Sequence, residues 1–175
     1  MAKKSQVIDR DLGWKKIRAK IKEMEGQPHV VVGVRAKDAD KQKDDAPAGT
    51  TMLVVASVHE YGSEDGTIPE RSYIRSTTDA NARTYQDALE VIYNKMISPY
   101  DSMHLGVALK ALGMLAEKDI REKIRSNIPP KHSQATLDER ERRRPGVAVI
   151  RLIDTGQLIQ SISSAAQYED GRPVK

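Results

Sequence analysis

Two long apolar stripes separated by a proline constrain this chain more than any other feature. Between Asp79 and Ser98, the residues Tyr85, Leu89, Ile92 and Met96 step by four, three and four positions. Between Met103 and Asn127, Leu105, Leu109, Leu112, Ala116 and Ile120 repeat that helical spacing. Pro99 divides the two segments, Asp101 or Ser102 can cap the second, and Pro129-Pro130 ends it. Whatever else the chain does, it must bury one face of each of these helices.

The remaining elements are short. Trp14, Ile17, Ile21 and Met24 form one stripe of a helix within Asp11 to Glu25, with Asp9 or Asp11 as cap and Gly26 and Pro28 as the stop. His29 to Val34 is β-branched and reads as a buried strand. Thr51 to Gly62 fits a strand at Met52–Ala56, but a short helix closed by Gly62 fits better, with His59 near its C-terminus complementing the dipole. Ile68 to Ile74 reads as extended, because Pro69 biases its predecessor away from the helical region. Ala36–Gly49 and Lys131–Pro145 are polar and read as long mobile loops. Val147–Ile150 starts an apolar stretch, Leu158, Ile159 and Ile162 suggest a helical turn, and 169–175 reads as a loose tail. The sum is one α+β domain over 1–175: about four helices, two of them long, packed on a small mixed or antiparallel sheet, with two long polar loops.

Composition excludes several classes. There is no cysteine, so disulfides, thiolate catalysis and Cys-ligated metal sites are out. No apolar run approaches the roughly 18 residues of a membrane span, and Met1 to Gln6 lacks the apolar core of a signal peptide. A soluble protein made in a reducing cytoplasm is therefore expected. The net charge is +4, but the basic stretches 1–28 and 117–145 are interspersed with acids, and aromatics for base stacking are scarce.

Catalytic patterns do not assemble. Asp154-Thr155-Gly156 has the string of an aspartic protease, but that chemistry needs a second carboxylate and more chain than the 19 residues after Gly156. A helix-capping turn is the simpler reading. His59-Glu60 lacks the second histidine of a zinc helix, and His29, His104 and His132 have no metal-ligand spacing. Neither a phosphate-binding glycine loop nor a nucleophile elbow is present. Asp38, Asp40, Asp44 and Asp45 lack calcium-loop spacing. The expectation is no enzyme, no cofactor and no metal.

Two segments carry a resemblance. One is Val58-His59-Glu60-Tyr61-Gly62 followed by Ile68-Pro69-Glu70-Arg71-Ser72-Tyr73-Ile74-Arg75-Ser76; the other is Leu152-Ile153-Asp154-Thr155-Gly156-Gln157-Leu158 with Ser161-Ile162. In this order, with a helical spacer, they resemble the tailed-phage neck and tail-completion proteins, including the minor tail protein Z type. Tyr73 stands where that family often has phenylalanine. The resemblance implies a structural virion protein at the head–tail junction, assembled in the host cytoplasm as a ring between portal and tail tube. Its partners would be copies of itself, neck, portal-side and tail-tube proteins, and weakly the genomic DNA in the lumen. The membrane is not among them.

Interface candidates follow from the motifs and the charged loop. They are His59, Tyr61, Arg71, Tyr73 and Arg75, then Arg140, Arg142, Arg143 and Arg144. On a regular strand Arg71, Tyr73 and Arg75 would share one face and could anchor an interface; Tyr73 as core with solvated arginines is the equal alternative. A tail terminator is the alternative role, and a DNA-binding or nuclease-associated factor, suggested by Arg142-Arg143-Arg144, is a third.

Overall fold

A computed structural model describes residues 13–35, 39–43, 47–98, 103–153 and 156–174 of the chain. The expected caps Asp9, Asp11, Asp101 and Ser102, the Pro99 break, the Asp154-Thr155 pair and much of the 36–49 loop lie outside the described residues.

Helix α1 (Trp14–Met24) is followed by strand β1 (His29–Val34) and helix α2 (Met52–Tyr61). The long helices are α3 (Arg75–Ile97) and α4 (Leu105–Arg125). Then come α5 (Gln134–Arg143), the short α6 (Gln157–Ser161) and strand β2 (Ile162–Gln167). The strands pair antiparallel, Val34 opposite Ile162 and His29 opposite Gln167. Among the described residues the architecture is α+β, six helices on a two-stranded sheet.

α4 is the axis of the fold because its stripe is apolar along its whole length. Leu105, Leu109, Leu112, Ile120 and Ile124 are all buried, each stabilising the fold by about 1.5–3 kcal/mol. The N-terminal half of the stripe meets Ile92 and Met96 of α3, while Ile120 and Ile124 join Met52, Tyr73, Leu152, Leu158 and Ile162. Gly113 lets α4 lie against the sheet: a Cβ there would stand 2.6 Å from the Ser164 hydroxyl and 3.2 Å from Val30. Tyr85 of α3 donates to Asp119 of α4 at 2.8 Å. Arg121 binds the Ile162 carbonyl at 2.5 Å, and Lys20 of α1 donates to the Met103 carbonyl.

Several expectations need correction. The second loop, 131–145, contains α5, capped by the Ser133 hydroxyl and supported by Glu139–Arg142 and Glu139–Arg143 pairs. Ile162 opens a strand instead of closing a helical turn. β1 is mostly half-buried rather than buried, since its sheet has two strands. Trp14 and Ile21 on the α1 stripe are exposed. Ile68–Ile74 forms no strand, and α3 begins at Arg75, four residues before the Asp79 start read from its stripe. Residues beyond β2 turn back: Val174 N–H donates to the Ala166 carbonyl and Tyr168 N–H to that of Arg172.

Candidate functional site: a carboxylate junction between two surfaces

α2 forms where the sequence reading placed it, because the Thr51 side chain accepts from Val54 N–H and Gly62, at φ 83°, ends it. Gly62 is required twice over, since a Cβ would also sit 3.1 Å from Glu70 N and 3.2 Å from the Ile68 carbonyl. The turn then brings the second half of the motif back against the helix. Ser63 N–H donates to the Ile68 carbonyl and Arg71 N–H to the His59 carbonyl, both at 2.8 Å. The turn itself is tied by Asp65, which accepts from Ser63 and Thr67.

Glu60 holds this arrangement. Its carboxylate is buried (4% exposed) and faces the first turn of α3, whose cap residue, Ile74, has no side chain able to cap. Oε2 accepts from Tyr73 N–H at 2.8 Å and Ile74 N–H at 2.9 Å. Oε1 accepts from Arg75 N–H at 2.9 Å, Ser72 Oγ–H at 2.7 Å and Arg75 Nε–H at 3.3 Å. The helix start is thus capped from α2, by a charge placed where the helix dipole favours a negative one. Burial alone would raise the carboxyl pKa, but hydrogen bonds from Ile74, Arg75, Ser72 and Tyr73 outweigh it and hold it below the ordinary value.

This junction decides the open question about the Arg–Tyr–Arg segment. Tyr73 is core, 0% exposed, with its hydroxyl donating to the Ala56 carbonyl at 3.3 Å, and burial pushes the phenol pKa up. Arg71 is not solvated: it is 3% exposed and donates from Nε to the Pro130 carbonyl at 3.1 Å. Arg75 opens α3 and turns outward, with Nη2 on Glu70 at 2.5 Å and its guanidinium 4.9 Å from the Tyr61 ring centroid. The expected shared strand face is absent because Glu60 gathers the backbone amides of residues 73–75 into a helix start.

Two surfaces flank the junction. On one, Tyr61 is 64% exposed beside the half-exposed Leu53 and Val54. Tyr61 and Leu53 border a groove of about 270 Å³ with Val32, Val34 and Ile74. The other is a cavity of about 470 Å³ lined by His59, Arg71, His132, Arg140, Arg143 and Arg151, with Lys131 on its wall. Among the described residues no carboxylate lines it. His59 is held as neutral imidazole, its pKa lowered to about 4 by burial and then by Arg71, His132, Arg140 and Lys43. His132 is lowered too, by burial and the same arginines with Arg151.

The sequence candidates therefore divide. Tyr61 and Arg75 meet on the groove side; His59, Arg71, Arg140 and Arg143 meet at the basic cavity. Tyr73 is between them in the core, and Arg142, paired with Glu139, lines neither space. Arg144 lines a separate small cleft with Val147 and Ile153. Lys131, His132, Arg151 and the capping role of Glu60 were missed. Only Glu60 had a sequence signal, its place inside the helix-ending motif; the others come from segments 60 to 90 residues away along the chain. Among the described residues, no helix is long and apolar enough to cross a membrane, and no three His, Asp or Glu side chains are grouped to hold a metal. No known protein family, curated protein or solved structure matches this chain.

Proposed function

We propose that the protein is a structural component of a tailed-phage virion, a head–tail connector of the neck or tail-completion type that assembles as a ring. The sequence resemblance supplies the identity of the role. The observation that carries an assembling role is the open edge of β1 beside the Tyr61 groove. Ser164 of β2 turns its N–H to Glu117 at 2.6 Å and its carbonyl to Arg35 at 3.1 Å, so both point away from β1. Val32, directly opposite, is then in a non-hydrogen-bonded pair, and its own N–H and carbonyl point outward. The same holds for Val30, opposite Ala166, whose carbonyl accepts from Val174. β2's edge is closed by side chains and the returning chain; β1's edge has no backbone partner among the described residues.

An open strand edge beside exposed Leu53, Val54 and Tyr61 suits addition of a neighbouring chain, with main-chain bonds giving affinity and the apolar groove giving register. Repeated head to tail, such a contact builds a ring when its rotation closes, which is the geometry proposed here. The role is binding, with no bond made or broken. Native mass measurement and particle imaging with tail tubes and filled heads test it: rings that join heads to tubes are expected. A protein that stays monomeric and ignores both overturns the reading. Overlong tubes when it is withheld would instead make it a tail terminator, since a completion protein's loss leaves tubes of normal length.

A further inference from the structure

We infer that the cavity between α2, α5 and the 131–133 segment is a binding site for a phosphoryl oxyanion. The inference stands on the cavity alone and does not depend on the virion reading. Cations enter this space from four separate parts of the chain: Arg71 after the 63–68 turn, Lys131 after α4, Arg140 and Arg143 on α5, and Arg151 beyond it. Arg71, Lys131 and Arg151 have no carboxylate partner among the described residues; the Arg71 and Arg151 side chains donate to backbone carbonyls, Arg71 to those of Pro130 and Lys131 and Arg151 to that of Asn127. Gathering these like charges around one cavity, three of them without a carboxylate partner, costs free energy that a bound anion recovers.

The unpartnered histidine atoms point the same way. His59 Nδ1 and His132 Nε2 are buried and have no hydrogen-bond partner, although both rings line this cavity. Buried polar atoms are ordinarily satisfied, so an absent ligand is a direct account of two orphans in one cavity. The chemistry of that ligand follows from the number and placement of the cations. A planar carboxylate is saturated by one guanidinium fork in one plane. Cationic side chains lining one space from four segments suit a tetrahedral group with oxygens in three dimensions, and about 470 Å³ exceeds what one carboxylate side chain fills.

The shared ligand chemistry is a phosphate group, carried either by a small molecule or by a nucleic acid. The groups facing the two imidazoles are Arg71, Arg140 and Arg151, with Lys43 also facing His59, all positive. An anion seated among them therefore raises both imidazole pKa values.

The test is titration of the full chain with inorganic phosphate at low ionic strength, read by histidine-ring NMR and calorimetry. Saturable binding is expected, with the His59 and His132 ring signals shifting together. Lys131→Gln and Arg151→Gln should each weaken it about tenfold, the scale of one charge-assisted hydrogen bond. Lys118→Gln, the same charge loss on exposed α4 outside the cavity, should leave it unchanged. Lys131 is exposed, so its variant keeps the test decisive if Arg151→Gln misfolds. A 5′-phosphorylated thymidine oligonucleotide and its unphosphorylated twin separate the sources. Binding of the pair in common assigns backbone phosphates, of the first alone a terminal phosphate, and of neither, with inorganic phosphate still bound, a small molecule. No saturation by about 10 mM phosphate, equal weakening by Lys118→Gln, or tighter binding of a glutamate-rich peptide than of phosphate overturns the assignment.

Discussion

Replacing Glu60, whose buried carboxylate caps α3 from α2, should strongly destabilise the fold. Glu60→Ala removes a buried acceptor from three backbone N–H groups, of Tyr73, Ile74 and Arg75, and from the Ser72 hydroxyl and Arg75 Nε. An unsatisfied buried donor costs about 1–3 kcal/mol, and a carboxylate at a helix N-terminus contributes about 0.3–2. Partial re-solvation of the part-buried groups returns some of this, which leaves about 3–5 kcal/mol, the range for breaking a buried charged network. Glu60→Gln keeps an oxygen for Tyr73 and Ile74 but sets an amide donor against Arg75 and Ser72, so about 2–3 kcal/mol is expected. Against a stability of about 5–15 kcal/mol, the alanine variant is near unfolding and the glutamine variant is measurable.

Urea denaturation followed by circular dichroism reads both. The pH dependence supplies the second readout. The folded-state pKa of Glu60 is depressed, so its contribution is complete above the unfolded value of about 4.3 and is lost as pH falls through the folded value. The stability difference between wild type and Glu60→Gln should therefore shrink as pH falls below about 4.3. A glutamine variant within about 0.5 kcal/mol of wild type at pH 7, or a difference that does not change with pH, refutes the capping argument.

Four further substitutions, one of them read as a pH profile, probe other parts of the reasoning. Gly113→Ala gains about 1 kcal/mol of helix propensity but sets a Cβ 2.9 Å from Ser164 Cβ, so net destabilisation of about 1–2 kcal/mol is expected in thermal or urea unfolding. Tyr73→Phe loses one hydrogen bond to Ala56 and keeps the ring, which sets its cost at about 0.5–1.5 kcal/mol by the same assay. Because the folded His59 pKa is near 4 and the unfolded one near 6.5, stability should fall as pH drops from about 6.5 to 4; His59→Gln should remove that component, seen as a flatter stability profile in this window. Val32→Pro removes an outward N–H without touching the β1–β2 ladder, so the chain should fold, by circular dichroism, yet lose ring assembly by native mass measurement.

The parts of this fold legible in sequence are those whose stability is local. Thr51 and Gly62 bracket α2 with a cap and a stop, and the leucine steps of α4 point its stripe inward whatever it packs against. The unread parts depend on partners distant in the chain. β2, Ile-Ser-Ser-Ala-Ala-Gln, has almost no intrinsic strand preference and is a strand because β1 and Glu117 pair with it. α5 has no apolar periodicity; Ser133 starts it, and Arg140 ties it to the carbonyls of Ile150 and Ile153. At 68–74 Pro69 favours an extended entry, as read, but Glu60 captures the following amides and starts α3 early. The candidate site divides the same way: His59 and Arg71 belong to one motif, whereas their meeting with His132 and Arg151 is a product of tertiary packing.

Adjacent positions on α2 explain how one short motif serves two surfaces of opposite character. His59 and Glu60 follow each other in sequence, so on a helix their side chains diverge by about 100°. Glu60 directs its charge to the α3 amides and Arg75, where five donors consume it. Beyond burial, His59 is lowered by Arg71, His132, Arg140 and Lys43. A carboxylate one residue away is thus spent on the α3 side and does not line the cavity. The same bonds fix Arg75 against Tyr61 on the groove side and place Arg71, four residues earlier, in the cavity wall. Because the junction is buried and fully bonded, it offers one arrangement, and the two faces are positioned by a common rigid element that needs no conformational change to present both.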